Sequence, residues 1–220
     1  MNSNEQNISE NILKSNTSLV GIVCKDGVVI GADRRGTVGT IIFGKNEKKI
    51  VKVNEYIAVA GTGVASDIEL NQRVLAAELK LKELKTKIRP TVKEAANLFG
   101  MMAYRNIRTP SMIMNVVGML VGGVNEDDKC ELYTIEPAGG VYEVRDYDAN
   151  FSSGMPYILG LLERTYKKDI TVKEGVELAK ECIKASTQRD VGSGNGIDVF
   201  SITKDGIKHI VSEEIVAEYK

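Results

Sequence analysis

The chain has 220 residues, 43% of them hydrophobic, enough for one substantial core, and no low-complexity stretch separates two domains. Lys and Arg total 29 against 30 Asp and Glu, so no net field draws the protein onto nucleic acid or an anionic membrane. Three cysteines, Cys24, Cys130 and Cys182, stand far apart without C-x-x-C spacing, and an odd number cannot pair completely, so free thiols in a reducing compartment are expected.

The leader "MNSNEQNISENILKSN", residues 1–16, lacks the basic start and apolar core of a signal peptide. Nowhere do about 18 apolar residues run together. A soluble, cytoplasmic protein is the expectation. After the leader, "TSLVGIVC" and "GVVIGAD" are short β-branched runs separated by Lys25, Asp26 and Gly27, the pattern of a hairpin. Further strand-like runs follow at "TIIF", "KKIVKV" and "YIAVAGTG", and the pattern changes after Gly63.

From Val64 to Lys85 the spacing predicts a helix with two apolar stripes. Ile68, Leu75 and Leu79 form one; Leu70, Val74, Ala77, Leu81 and Leu84 form the other, on roughly the opposite side. Such a helix covers two things, either two neighbours within the domain or a sheet on one side and another subunit on the other. Pro90 ends the next turn and Thr91 caps a second helix carrying Val92, Ala95, Ala96, Phe99 and Met102. Strands resume at "MNVVGMLVGGV", "CELYTIEP" and "GVYEVRDY". Helical spacing returns at Pro156–Tyr166 and in "TVKEGVELAKECIKAST", which opens on a capping box of Thr171 and Glu174. "GIDVFSIT" and "IKHIVS" close the chain as strands.

Helices arriving in pairs between groups of strands are incompatible with a βαβ parallel sheet. Two stacked antiparallel sheets with a helix pair outside each bury the apolar stripes. The predicted fold is therefore α+β, a four-layer α/β/β/α sandwich, in one domain spanning 17–220 behind a leader at 1–16.

The lone histidine, His209, lies in a late strand with neither a nucleophile nor further metal ligands nearby in sequence, so an ordinary strand position is expected for it. Neither a metal nor a cofactor is expected. Nucleophilic chemistry then needs another base, and a threonine made N-terminal by cleavage supplies one. Its α-amine, with a reference pKa of about 7.7–8.0, accepts a proton near neutrality. Cleavage between Asn16 and Thr17 creates that group, with Asp33 and Lys49 as the carboxylate and cation such a site needs. On spacing alone the plainer alternatives stay open: Thr17 as a strand start, Asp33 with Arg34 as a strand-end ion pair, Lys49 in a solvated cluster with Lys45, Lys48 and Lys52.

The runs "TSLVGIVCKDGVVIGADRR", "KNEKKI", "AGTGVASD", "SSGMPYILGLLE" and "STQRDVGSGNGIDV" together resemble, in order and spacing, the β subunits of the 20S proteasome across residues 17–203. The resemblance implies an N-terminal-nucleophile hydrolase fold and a threonine endopeptidase. Thr17 matches the nucleophile, Asp33 and Lys49 the acid and lysine beside it, and Gly63 the oxyanion donor. Ser153 matches the serine at the nucleophile's amine, and Asp190 with Ser193 the pair completing that network. Positions matching the substrate-pocket wall are Gly36, Val38, Glu47, Val51, Gly61, Ala65 and Glu69.

Small residues at Gly61 and Ala65 imply a deep pocket. Glu47 and Glu69 either favour a basic substrate side chain or face solvent or a neighbouring subunit. Implied partners are α subunits and other β subunits in stacked heptameric rings, an ATP-dependent unfoldase and unfolded polypeptides; neither nucleic acid nor a membrane is among them. The α-subunit pattern, with an extra N-terminal helix and a tyrosine-containing motif, fits this asparagine-rich leader less well. So does the bacterial HslV-type "GDGQ" where this chain has "ADRR". The chain departs from the β pattern at Asn16, where glycine is usual, and in smaller ways at Ser18 and Ser152. Asn16 keeps a second role in view, that of a structural β subunit retaining its leader.

Overall fold

A computed structural model describes residues 16–38, 40–112 and 115–215. All of the leader except Asn16 lies outside these residues, whereas the expected propeptide boundary, the bond between Asn16 and Thr17, lies within them. The first hairpin joins β1 (Leu19–Cys24) to β2 (Gly27–Asp33) through Lys25 and Asp26, pairing Leu19 with Ala32. β3 (Gly36–Val38) and β4 (Ile41–Gly44) form a separate small ribbon, and β5 (Ile50–Lys52) and β6 (Ile57–Gly63) start the second sheet. Two helices follow, α1 (Ala65–Thr86) and α2 (Val92–Arg108). The second sheet then gains β7 (Val117–Val124), β8 (Cys130–Ile135) and β9 (Val141–Val144). β10 (Tyr147–Asp148), α3 (Met155–Thr165), α4 (Val172–Thr187), β11 (Gly196–Thr203) and β12 (Gly206–Glu214) complete the chain.

One sheet has the order β10-β1-β2-β11-β12 and the other β5-β6-β7-β8-β9, with antiparallel pairing throughout. Between them lies an apolar layer built from Leu19, Val28, Ile30, Ala58, Ala60, Leu120 and Leu132. α1 and α2 cover the outer face of the second sheet through Leu75, Leu79, Val92 and Phe99. α3 and α4 cover the first through Ile158, Leu162, Ala179 and Ile183. The α/β/β/α order follows from strands such as β2 and β7, which are buried along their whole length because both of their faces are covered.

Both α2 and α4 open on full capping boxes, Thr91 with Glu94 and Thr171 with Glu174, which satisfy backbone donors left open at a helix start. α1 has no such cap and begins where Gly63, at φ +126°, breaks the strand geometry. Its first stripe is buried or half-buried. Its second is not: Leu70, Val74, Ala77, Leu81 and Leu84 are exposed. Two features escaped the sequence reading. The run "GVYEVRDY" splits, so that β9 stays in the second sheet while β10 crosses to pair Asp148 with Gly21 of β1. Gly36–Val38 forms a strand that the pattern did not mark.

Candidate active site

Thr17 and Ser18 continue the line of β1 beyond its first residue, and Ser18 exchanges two hydrogen bonds with Asp33 at the end of β2. The Asp33 amide donates to the Ser18 carbonyl (3.1 Å), and the Ser18 amide donates to Asp33 Oδ1 (2.9 Å). Oδ1 also receives Lys49 Nζ at 2.7 Å, while Oδ2 accepts from the amides of Arg35 (2.9 Å) and Gly194 (3.0 Å). Asp33 is fully buried, and four donors offset what burying its charge costs. Lys49 is largely buried too; burial pushes its pKa below the ordinary lysine range, against the upward pull of Asp33.

On the other side of Thr17 the partners are hydroxyls. The Thr17 amide donates to Ser153 Oγ at 2.9 Å, and the Gly154 amide returns a bond to the Thr17 carbonyl at 3.1 Å. Ser153 has one proton, and Asp190 Oδ2 at 2.7 Å is its stronger acceptor. Ser193 donates to the same oxygen at 2.5 Å, and the Gly192 amide donates to Oδ1 at 3.2 Å. With the Ser193 proton committed, Ser18 Oγ donates to it at 2.7 Å, and the Ser186 hydroxyl in close contact behind donates to Ser18. A directed chain therefore runs Ser186, Ser18, Ser193, Asp190, with Ser153 entering from the side.

The remaining charges of "ADRR" hold the loop that carries Asp190. Arg34 forms a two-pronged pair with Asp198 of β11, Nε to Oδ2 at 3.0 Å and Nη2 to Oδ1 at 2.6 Å, and reaches Ser212 as well. Arg34 thus pairs with Asp198 rather than with Asp33, and Lys49 belongs to Asp33 rather than to the exposed lysines around it. Arg35 binds Asn195 Oδ1 and the Val191 carbonyl, both at 2.8 Å, strapping the 190–195 loop across the end of β2. Asn150, at φ +48°, anchors the Ser153 loop to the second sheet. Its side chain accepts from Thr62 Oγ1 and donates to Thr134 Oγ1, both at 2.8 Å. Asn16 rests on the bare Cα of Gly192, where any side chain would collide with it.

Gly63 ends β6 opposite Val117, and a Cβ there would run into the Val116 carbonyl, so this position takes glycine for space as well as for its φ. Of the predicted pocket wall, Gly36 lies under the Phe43 ring and Glu47: a Cβ on it would stand 2.7 Å from Phe43 Cζ and 2.9 Å from Glu47 Cγ. Val51 is half-buried, paired with Val59, whereas Val38 and Ala65 are exposed. Glu69 is exposed on α1 and faces Arg73 at 3.7 Å, one helical turn on. Gly61 is covered by Ile68, a residue outside the predicted wall.

His209 sits on β12, stacked on Phe200 with ring centroids 4.3 Å apart, and its Nε2 lies 2.8 Å from Asp198 Oδ1. It has the strand position expected of it. Among the described residues no group of His, Cys, Asp and Glu has the arrangement of a metal site, and no helix is long and apolar enough to cross a membrane. Sequence reasoning missed Asn150, Ser186, Asp198 and the separate tasks of Arg34 and Arg35. The only local signal among them was an asparagine before a Ser-Ser-Gly turn, a residue tolerant of positive φ.

The proteasome subunit family matches residues 13–202 of this chain. A proteasome subunit beta 1 from Thermococcus onnurineus is 40% identical over 205 residues, covering 93% of this chain and 97% of its own. A proteasome subunit beta 2 from Pyrococcus abyssi is 38% identical over 201 residues, covering 91% and 93%. A proteasome subunit beta from Nanoarchaeum equitans is 36% identical over 197 residues, covering 90% and 98%. With the stacked antiparallel sheets and their flanking helix pairs already in place, these likenesses are decisive: the chain belongs to the proteasome subunit family, as a β subunit of archaeal type.

Proposed function

We propose that the chain is a catalytic β subunit of a 20S core particle, a threonine endopeptidase that becomes active when the bond between Asn16 and Thr17 is broken. One observation carries this reading. The nitrogen that cleavage would turn into the α-amine is already seated on Ser153 Oγ at 2.9 Å, and the next amide along the chain is held by the carboxylate that binds Lys49. In this mechanism Thr17 Oγ1 attacks the scissile carbonyl and its proton passes to the free α-amine; collapse of the tetrahedral intermediate breaks the peptide C–N bond, and the departing amine takes that proton, leaving the acyl-enzyme. The Lys49 ammonium and the Gly63 amide favour the negative charge that develops, and water activated by the same amine hydrolyses the acyl-enzyme. Ser153, Asp190 and Ser193 orient the amine.

The particle on this reading stacks heptameric β rings between α rings in the cytoplasm, receives unfolded polypeptides from an ATP-dependent unfoldase, and matures by self-cleavage of a zymogen. The exposed apolar stripe of α1 supports such assembly, because a monomer gains nothing by leaving Leu70, Leu81 and Leu84 in water. A second reading is favoured by Asn16, which packs on Gly192 and stands where relatives with an exposed threonine usually have glycine. On it the subunit keeps its leader and shapes the ring beside a catalytic paralogue.

Intact mass of the subunit from assembled particles separates the two. Loss of residues 1–16 is expected, and Thr17→Ala is expected to retain the leader and remove this chain's share of peptide hydrolysis. A full-length subunit in particles that still cleave peptides points to the structural role.

A further inference from the structure

Glycine at position 61 leaves an opening in the outer face of β6, two residues before Gly63, and the structure fills it from elsewhere. A Cβ built on Gly61 would lie 2.5 Å from Ile68 Cγ2 and 3.3 Å from Ile68 Cγ1, so the Ile68 side chain lies directly across the Gly61 Cα. Ile68 is in the first turn of α1, half-buried, with one flank against the core cluster of Leu75 and Phe99. Ile50, the residue after Lys49, pairs with Ala60, the residue before Gly61, so the two positions flank the same strand pair at the end that carries the lysine of the site. The depth that glycine opens is therefore closed again by a branched side chain seven residues later. Glu69, the next residue, is directed along the helix surface to Arg73 and leaves Ile68 as the large group beside Gly61.

Resting on the peptidase reading above, the geometry points to Ile68 as the residue that sets the depth of the substrate pocket. It admits small and medium apolar side chains at the residue N-terminal to the cut bond and excludes long or bulky ones. On this proposal the depth expected from Gly61 and Ala65 is reduced, because an empty Cα is room only when nothing else occupies it. The effect assigned to Ile68 is confined to which side chains fit.

Core particles carrying Ile68→Ala, assayed on a fluorogenic panel with Ala, Leu, Phe and Arg before the cleaved bond, test this. The ratio of kcat/KM for Phe and Arg over Ala is expected to rise about tenfold or more, the scale on which a few methylenes discriminate in an apolar pocket. Adding Gly61→Ile to that variant refills the space from the strand side and is expected to bring the ratio back down. Because Ile68 also supports the core, Ile68→Val, which removes Cδ1 alone, is read in the same way should the alanine variant not assemble, with a rise of a few-fold expected. An active particle whose ratios stay the same in the assembled variants overturns the proposal and leaves the peptidase reading standing. A wild-type particle with this chain's leader removed and no Thr17-dependent hydrolysis overturns the peptidase reading itself, and the pocket assignment falls with it.

Discussion

The two sides of Thr17 are built from different materials. On the Asp33 side a fully buried carboxylate is held by three backbone amides and Lys49, groups whose donors point one way only. On the Asp190 side the partners of Thr17 are reached through the hydroxyls of Ser153, Ser193, Ser18 and Ser186, each of which can turn to donate or accept. On the peptidase reading, the difference matches what cleavage would demand. Before it, the Thr17 nitrogen has one proton to give; afterwards it is an amine that must both donate and accept. The Asp33 side is fixed largely by backbone, and the side that would face the new amine is made of rotors.

This contrast can be broken by mutation. Asp33→Ala is expected to have the larger effect on the fold, because it strands Lys49 and three amides in the interior. Breaking a buried pair costs about 3–5 kcal/mol, so the thermal midpoint of the particle should fall by roughly 10 °C, with activity lost as well. Ser153→Ala should leave the midpoint within a few degrees, since one hydrogen bond contributes about 1 kcal/mol, and on the peptidase reading should lower kcat by about 10²-fold with little change in KM. Equal losses of thermal stability in the two variants would erase the distinction between a rigid side and an adjustable one.

A pH profile sharpens the same comparison. Burial disfavours the Lys49 ammonium, so on the peptidase reading the alkaline limb of kcat should lie below the ordinary lysine value of about 10.4. Asp33 and, more weakly, Glu47 pull the Lys49 pKa upward. Glu47→Gln removes one upward pull, and the limb is expected to move slightly further toward neutral pH, with the acid limb unchanged. Movement toward higher pH would show that the limb belongs to another group.

Much of the fold was legible because it is written in short-range periods. The hairpin of β1 and β2 shows as two β-branched runs around Lys-Asp-Gly, and the starts of α2 and α4 show as Thr followed three residues later by Glu. β10 was not legible, since two residues have no period and its pairing with β1 is decided by where the chain crosses between sheets. The site divided in the same way. Asp33 and Lys49 stand near Thr17 in sequence and drew attention together, whereas Ser186 meets Ser18 across 168 positions and Asn150 meets Thr62 across 88. Hydrogen bonds of that span leave no mark on local composition. Nor does any pattern say that a glycine's vacancy is taken by an isoleucine on the next element.

The outer stripe of α1 has a consequence for the life of the protein before assembly. A newly made subunit carries Leu70, Val74, Leu81 and Leu84 along one exposed ridge, and contiguous apolar surface of that kind favours self-association. Surplus copies are therefore a hazard in proportion to the square of their concentration, and gene dosage becomes a structural variable. A cell expressing this chain is then under pressure to match its output to that of the other core subunits, and inclusion bodies of the chain expressed alone are expected to diminish when those subunits are supplied in the same cell.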